Sequence, residues 1–421
     1  MIFHLLVCLE EIKILQIYVK ITNHTAASRI FVFHCFNANS DGPSEVPDEL
    51  ISPNELRRIS VPIYGMKCWG DLFSPRQLLA LTTLTRCVRR VRNVLGESES
   101  QSGLADAVQV CLGLAIGRLA DRCSALCTWD PSPAASGILH MFARQAISMV
   151  WDYAEGAPME EKSGGWSPTL AWITRVLEQE GKTTNWGAGS VQQTSATKHP
   201  LPDDAADAFI TDPPYYDAVP YAYLSDFFYV WLRRTLAETH PSLFRDACVP
   251  KEAEIVVDRA HQLSQSNKGI AFYESELQKA FAESRRVLRP DGIGTIVFAS
   301  KTTSSWEAIL KAVVDAGWVI TGSWPIDTEM ENRVSAIGQA RLASSVHLVC
   351  RPREDASGAV TEAVGKGGTI DALTKACDKA DAVVSCGQLD AYSAWANAPK
   401  LGSLAIVMDL PALLIVLVIK K

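Results

Sequence analysis

An α/β fold with a mostly parallel sheet is predicted by two features of the chain. One is the stretch Phe209-Ile210-Thr211-Asp212-Pro213-Pro214-Tyr215-Tyr216-Asp217, in which a short apolar run stops at an acid and two prolines. The other is the alternation that follows. An amphipathic helix over Tyr273–Leu288 leads through a turn at Arg289-Pro290-Asp291-Gly292 into a strand over Gly294–Ala299. A helix over Trp306–Ala316, a strand over Trp318–Ser323 and a closing strand over Ser344–Cys350 come next. Alternating units joined by short connections argue for a parallel sheet with covered faces.

The acid–proline stretch carries the most chemistry. Neither Pro213 nor Pro214 has an N–H to give to a ladder, so the strand must end there. Each proline also pushes the residue before it out of the helical region. The product is a stiff, extended segment at the carboxyl end of a strand, which is where open α/β sheets bind ligands. An ionised Asp212 only accepts hydrogen bonds. The Pro213 carbonyl is a second acceptor with no N–H of its own beside it. Two such acceptors can hold an exocyclic NH2 in a fixed plane, and Tyr215 offers a flat face to a base.

In chain order, residues 1–43 read as β, from partial alternation over Glu11–Ile14 and Tyr18–Ile21 and an apolar run over Arg29–Phe36. Residues 44–60 read as loop, punctuated by Pro47 and Pro53. Ser74 and Pro75 then make an N-cap and a first helical residue. Leu78, Leu81, Leu84 and Val88 continue at helical spacing. Arg86, Arg89, Arg90 and Arg92 near its end suit the helix dipole, with phosphate contact the alternative. A helix over Ala105–Cys123 carries Gly113, Ala115 and Gly117, small residues that permit close packing. Phe142–Tyr153 and Leu170–Glu178 read as further helices. Residues 64–180 are thus mainly helical.

Ser190–Gln193 reads as a short strand, and Gly187-Ala188-Gly189 before it as a turn. Leu224–Leu236 reads as a helix whose Phe227, Phe228, Tyr229 and Trp231 are mostly core. Arg233 and Arg234 at its end are free to reach phosphate or solvent. Residues 371–421 have a helix–strand character. Leu410–Ile419 within them is too short for a membrane helix and reads as a strand.

Composition sets limits. With 48% apolar and 21% charged residues the chain has ordinary globular character. A net charge of −7 excludes a uniformly basic surface for nucleic acid, so any such contact must be local. Eleven cysteines are scattered without a Cys-x-x-Cys pair. Cys123 and Cys127 lack a second ligand pair nearby and read as reduced core thiols rather than a zinc site. The start of the chain has neither a basic segment nor a small-residue cleavage site, which gives a cytoplasmic expectation.

The Asp212-Pro213-Pro214-Tyr215 motif after an apolar strand resembles the catalytic motif of S-adenosylmethionine-dependent amino-methyltransferases, which methylate adenine N6 or cytosine N4 in DNA. The longer stretch Asp212–Leu232, DPPYYDAVPYAYLSDFFYVWL, is similar to the large prokaryotic adenine-specific DNA methylases that carry a DUF1156 domain. The likeness resumes the pattern at Tyr64-Gly65, Trp69–Leu78, Trp129–Ser132 and Trp324–Glu329, and covers roughly residues 45–353. It implies a partial Rossmann-like methyltransferase sheet with a mainly helical inserted region, one that can cover a target base. It divides the chain into a divergent segment (1–43), a helical region (44–185), a catalytic α/β region (186–353) and an extension of unassigned role (354–421).

The resemblance implies S-adenosyl-L-methionine as cofactor, DNA as partner, and no metal or membrane. Asp212, Pro213, Pro214 and Tyr215 are the catalytic expectation. Ser195 and Thr211 are the cofactor expectation, and Tyr216, Asp217, Tyr221 and Asp226 the substrate expectation. Two departures stand out. The glycine-rich cofactor loop of the relatives is not found in the sequence, and Ser195 occupies the place of an acid that contacts the cofactor. Those departures raise a second expectation: an inactive or split methylase whose cofactor half comes from a separate chain. A cytosine-N4 or RNA amino-methyltransferase is the third.

Overall fold

The computed structural model describes residues 43–95, 99–132, 137–142, 144–162, 164–181, 190–216, 219–257, 268–300, 303–326, 345–353, 404–409 and 414–419. The β expectation for residues 1–42, the Gly187–Gly189 turn and the end of the Trp324–Glu329 turn lie outside them. Contacts divide the chain into two compact units. One takes in Met1–Lys182 and Ala222–Pro250, the other Thr183–Tyr221 and Lys251–Lys421. The division therefore differs from the expected one. The aromatic helix after the proline motif goes with the helical region, and the extension goes with the sheet.

The helical unit holds α1 (Pro75–Arg89), α2 (Val91–Leu95), α3 (Glu99–Arg122), the short antiparallel pair β1 (Trp129–Asp130) and β2 (Gly137–Ile138), α4 (Trp166–Gly181) and most of α5 (Tyr221–Leu236). Helix α1 begins at a reciprocal cap: the Ser74 hydroxyl accepts the Gln77 N–H and the Gln77 side chain accepts the Ser74 N–H. Its buried stripe contains Leu81, Leu84 and Val88. The arginines at its end are spent locally, Arg86 and Arg89 on Glu45 and Arg92 on Asp106. Phe142–Tyr153 is not a helix. Ile147 instead exchanges backbone hydrogen bonds with Arg58 and Ser60, pairing as a β-bridge with Ile59. Extended pairing suits a β-branched residue that is fully buried.

The small residues of α3 do what their size permits. A Cβ on Gly113 would meet Thr235 Oγ1 at 3.1 Å, and one on Gly117 would meet Phe228 at 3.3 Å. Side chains of α5 thus fill the space that side chains on these two glycines would occupy, and the Gln109 amide donates to the Thr235 carbonyl at 2.8 Å. Gly103–Arg122 within α3 is long and apolar enough to cross a membrane. Within it Ala115, Ile116, Leu119 and Ala120 are buried inside this unit, while Leu104 and Leu114 are exposed.

From α5, Phe227 and Trp231 are fully buried and meet Phe73, Trp69 and Phe142 at ring distances of 5.4–6.2 Å. Arg234 is neither solvated nor a phosphate ligand. It is buried, donating to Glu49 Oε1 at 2.8 Å and to the carbonyls of Ser44, Val46 and Val230.

The second unit is a mixed sheet. Its strands are β3 (Ser190–Gln193), β4 (Ala206–Asp212), β5 (Leu288–Phe298), β6 (Trp318–Ile326), β7 (Ser345–Pro352), β8 (Leu404–Asp409) and β9 (Leu414–Ile419). The order is β3-β8-β9-β4-β5-β7-β6. The expectation of a mostly parallel sheet is corrected here. Only β3–β8 and β4–β5 are parallel neighbours, and the other adjacent pairs are antiparallel. The reason lies in two strands. β7 and β9 run against the rest and are interleaved among them, so five strands share one direction with few parallel contacts. β9 comes from the extension, whose backbone pairs with β4 from Ala208 to Asp212.

Helices α6 (Ile270–Val287) and α7 (Thr303–Asp315) pack on each other and on β5 and β6. The expected turn at Arg289–Gly292 is a bulge inside β5: Ala206 pairs with Leu288, but Ala208 already pairs with Ile293. Pro290 is tolerated there because a bulge needs no ladder N–H. The core joins Phe209, Tyr273, Phe281, Phe298 and Trp318. Trp318 donates to the Phe281 carbonyl at 2.9 Å and lies on Gly294, where a Cβ would come within 2.6 Å of its ring.

Two outcomes are expected. Arg234→Ala leaves Glu49 with only the longer Arg233 contact at 3.4 Å and the Ser44 and Val46 carbonyls without their buried donor, and costs about 3–5 kcal/mol of stability, measured by urea denaturation. His199, buried beside Glu283, has a pKa held below the ordinary 6.5, first by burial. A depressed histidine contributes stability above its unfolded pKa and loses it as pH falls, because the unfolded chain takes up the proton first. The melting temperature should therefore fall from pH 7 to about pH 5, with a shallower slope in His199→Gln.

Candidate active site

The site residues that the second unit brings together stand at the tip of β4 and just beyond it. Along β4 the side chains alternate. Phe209 and Thr211 are buried on one face, and Asp212 is open to solvent at the strand end. The Thr211 hydroxyl oxygen is buried with no hydrogen-bond partner among the described residues.

Asp212 and Tyr215 act as a pair. The Tyr215 hydroxyl lies beside the Asp212 carboxylate and favours its ionised form. Although Asp212 is exposed by area, protein atoms crowd its carboxyl enough to raise its pKa above the ordinary value, and the Tyr215 hydroxyl opposes that rise. Burial and the neighbouring carboxylate push the Tyr215 phenol up, so it remains a donor. Its ring is half-buried and edge-on to Phe298 at 5.5 Å, and Phe298 is edge-on to Trp306 at 5.0 Å. Tyr221, the first residue of α5, has its phenol pushed up to about 12 by burial, then by the charges of Asp212 and Glu254. That coupling places it within electrostatic reach of the strand tip.

The two proline carbonyls differ. Pro214 O accepts from the Tyr273 hydroxyl at 2.8 Å and from the Tyr216 N–H at 3.1 Å. Pro213 O receives no hydrogen bond from any described residue. Tyr216 adopts a left-handed backbone, φ 42°, a strained setting for an aromatic residue. It is pinned on three sides. Its N–H also reaches the Tyr273 hydroxyl at 3.4 Å, its carbonyl accepts the Val257 N–H at 2.9 Å, and its ring meets that of Tyr273 at 5.2 Å. Asp217 lies outside the described residues.

The other expected residues fall elsewhere. Asp226 belongs to the helical unit, where it is buried and accepts the Val249 N–H at 2.8 Å. Ser195 is exposed beyond the end of β3, its hydroxyl 2.9 Å from the Thr197 hydroxyl and accepting the Thr197 N–H. By register, Gln193, Met408, Ile415 and Asp212 form one row across β3, β8, β9 and β4. Ser195 is thus offset from the Asp212 strand by three interstrand steps, about 14 Å.

Sequence reasoning missed Tyr273, which reads as one more position of an amphipathic helix. A tyrosine among the apolar positions of that helix was the only signal, since a buried hydroxyl needs a partner. Among the described residues no group of His, Cys, Asp and Glu could hold a metal. Cys123 and Cys127 are buried, with burial raising both thiols. A scan against protein-family models and a search of curated proteins both find no match to the chain.

Proposed function

We propose that this chain holds the exocyclic amine of adenine for S-adenosylmethionine-dependent N6 methylation of DNA, in a partial Rossmann-like methyltransferase sheet. One observation carries the reading: two acceptors, the Asp212 carboxylate and the Pro213 carbonyl, stand adjacent on a stiff strand tip while the next carbonyl is already used. An exocyclic NH2 has two donors, and the pair matches them. Fixing both hydrogens fixes the plane of the amine. Tyr215 steers the carboxylate through its hydroxyl, and its half-exposed ring offers a surface for the base. A base reaches such a tip only by leaving the stack. Orientation of this kind supplies up to about 7–11 kcal/mol of a barrier when geometry is ideal.

S-adenosylmethionine supplies the methyl group in this reading, but the described residues do not make a cradle for it. Ser195 spends its hydroxyl in a local turn, three strands from Asp212. Thr211 offers one orphaned hydroxyl and no charge. This specific misfit favours a second reading, in which the chain is the amine-holding half of a split methylase and a separate chain brings the cofactor. A role in restriction–modification or phage defence follows from either. The same acceptors suit cytosine N4 or an RNA amine.

Base-resolved mass spectrometry of DNA incubated with chain and cofactor should reveal N6-methyladenine. Asp212→Ala should lower its formation by at least about a hundredfold. Wild-type levels in that variant would refute the role given to the acid. The pH profile gives a second check. The acceptor must be ionised, so activity falls on the acid side with a pKa above the ordinary 3.8. Tyr215→Phe removes the hydroxyl that favours the ionised form, so its acid limb should move to higher pH. Calorimetry with S-adenosylmethionine separates the two readings: heat of binding from the chain alone supports a self-sufficient enzyme, and none supports the split one.

A further inference from the structure

We infer that Tyr273 is a positioning residue: its hydroxyl occupies the Pro214 carbonyl, locks the strained Tyr216 turn, and leaves Pro213 as the acceptor that works with Asp212. The role rests on the amine-holding reading above and deepens it.

Two successive proline carbonyls without intervening N–H groups are alternative acceptors for the same amine. A site that offered both would hold the amine in two orientations. Tyr273 removes that ambiguity. Its ring is completely buried in α6, so the hydroxyl comes from a rigid element rather than a loop. At 2.8 Å from Pro214 O it is a full donor, and Tyr216 N–H adds a second hydrogen bond to the same oxygen. Both lone pairs of Pro214 O are engaged. The hydroxyl in turn accepts from Tyr216 N–H at 3.4 Å, which ties the left-handed residue to the helix. A left-handed aromatic residue persists only where its surroundings over-determine it. Here those surroundings are the Tyr273 ring and hydroxyl and the Val257 N–H.

Tyr273→Phe keeps the ring and deletes the hydroxyl. Amide hydrogen exchange should show the Tyr216 N–H opening faster, with the rest of the sheet unchanged. If the wild type methylates DNA, kcat should fall at least about tenfold in the variant. KM for S-adenosylmethionine should stay the same, and kcat is taken per folded molecule, with the folded fraction measured by circular dichroism, so that a general loss of stability does not mimic the effect. Unchanged Tyr216 exchange together with unchanged kcat would overturn the inference. A wild type that transfers no methyl group would remove the self-sufficient reading, yet the exchange measurement would still decide whether the hydroxyl holds the turn. If the variant fails to fold, the wild type suffices. NMR of the chain labelled at tyrosine should show one slowly exchanging hydroxyl proton from Tyr273, and rapid exchange of that proton would refute the bond.

Discussion

The missing N–H groups of Pro213 and Pro214 are the constraint on which the site depends. A strand can be extended only by residues that feed both edges of its ladder. β4 pairs with β5 on one edge and with β9 on the other up to Asp212, and then has nothing left to donate. The chain must leave the sheet at that point, in an extended path, with its carbonyls in need of donors. The structure answers that need unevenly. Tyr273 and Tyr216 satisfy Pro214 O, while the buried Pro213 accepts no hydrogen bond from any described residue and the Asp212 carboxylate faces Tyr215. Termination of the strand and creation of the acceptor pair are one event.

The turn that follows stores the strain of this arrangement. Tyr216 sits at a positive φ that its side chain disfavours. The strain is held by a buried helix residue and by a backbone bond to Val257, contacts far from the strand in sequence. The electrostatics at the tip have a similar logic. Crowding raises the Asp212 carboxyl, and the Tyr215 hydroxyl pulls it back toward ionisation.

The helical unit shows how a plausible binding feature is absorbed by folding. Arginines at the ends of α1 and α5 have the spacing of a phosphate contact. Arg86, Arg89 and Arg234 instead face Glu45 and Glu49, acids of the preceding loop. For Arg234 the burial is nearly complete, and a buried guanidinium holds its place only with several acceptors around it. The aromatic residues of α5 follow the same rule. Phe227 and Trp231 fill the core against Phe73 and Trp69 rather than face a base.

Local signals in the chain are enough to mark where the key strand ends, where α1 is capped, and that α6, β5, α7 and β6 follow one another. Each is a local matter: two prolines, a Ser-Pro-x-Gln box, and apolar spacing over one or two turns. The same signals misread one local matter, because the apolar spacing of Phe142–Tyr153 serves a bridge to Ile59 as well as it would serve a helix. The remaining features depend on pairing between residues distant in the chain. The extension supplies β9 beside β4, and its reversed direction makes the sheet mixed. Ser195 is moved three strands from Asp212 by the same insertion, and Asp226 is claimed by Val249. Tyr273 meets Pro214 across 59 residues of chain. No periodicity encodes such a meeting, because it is fixed by which helix face packs on which strand end, and that is settled only when the whole core closes.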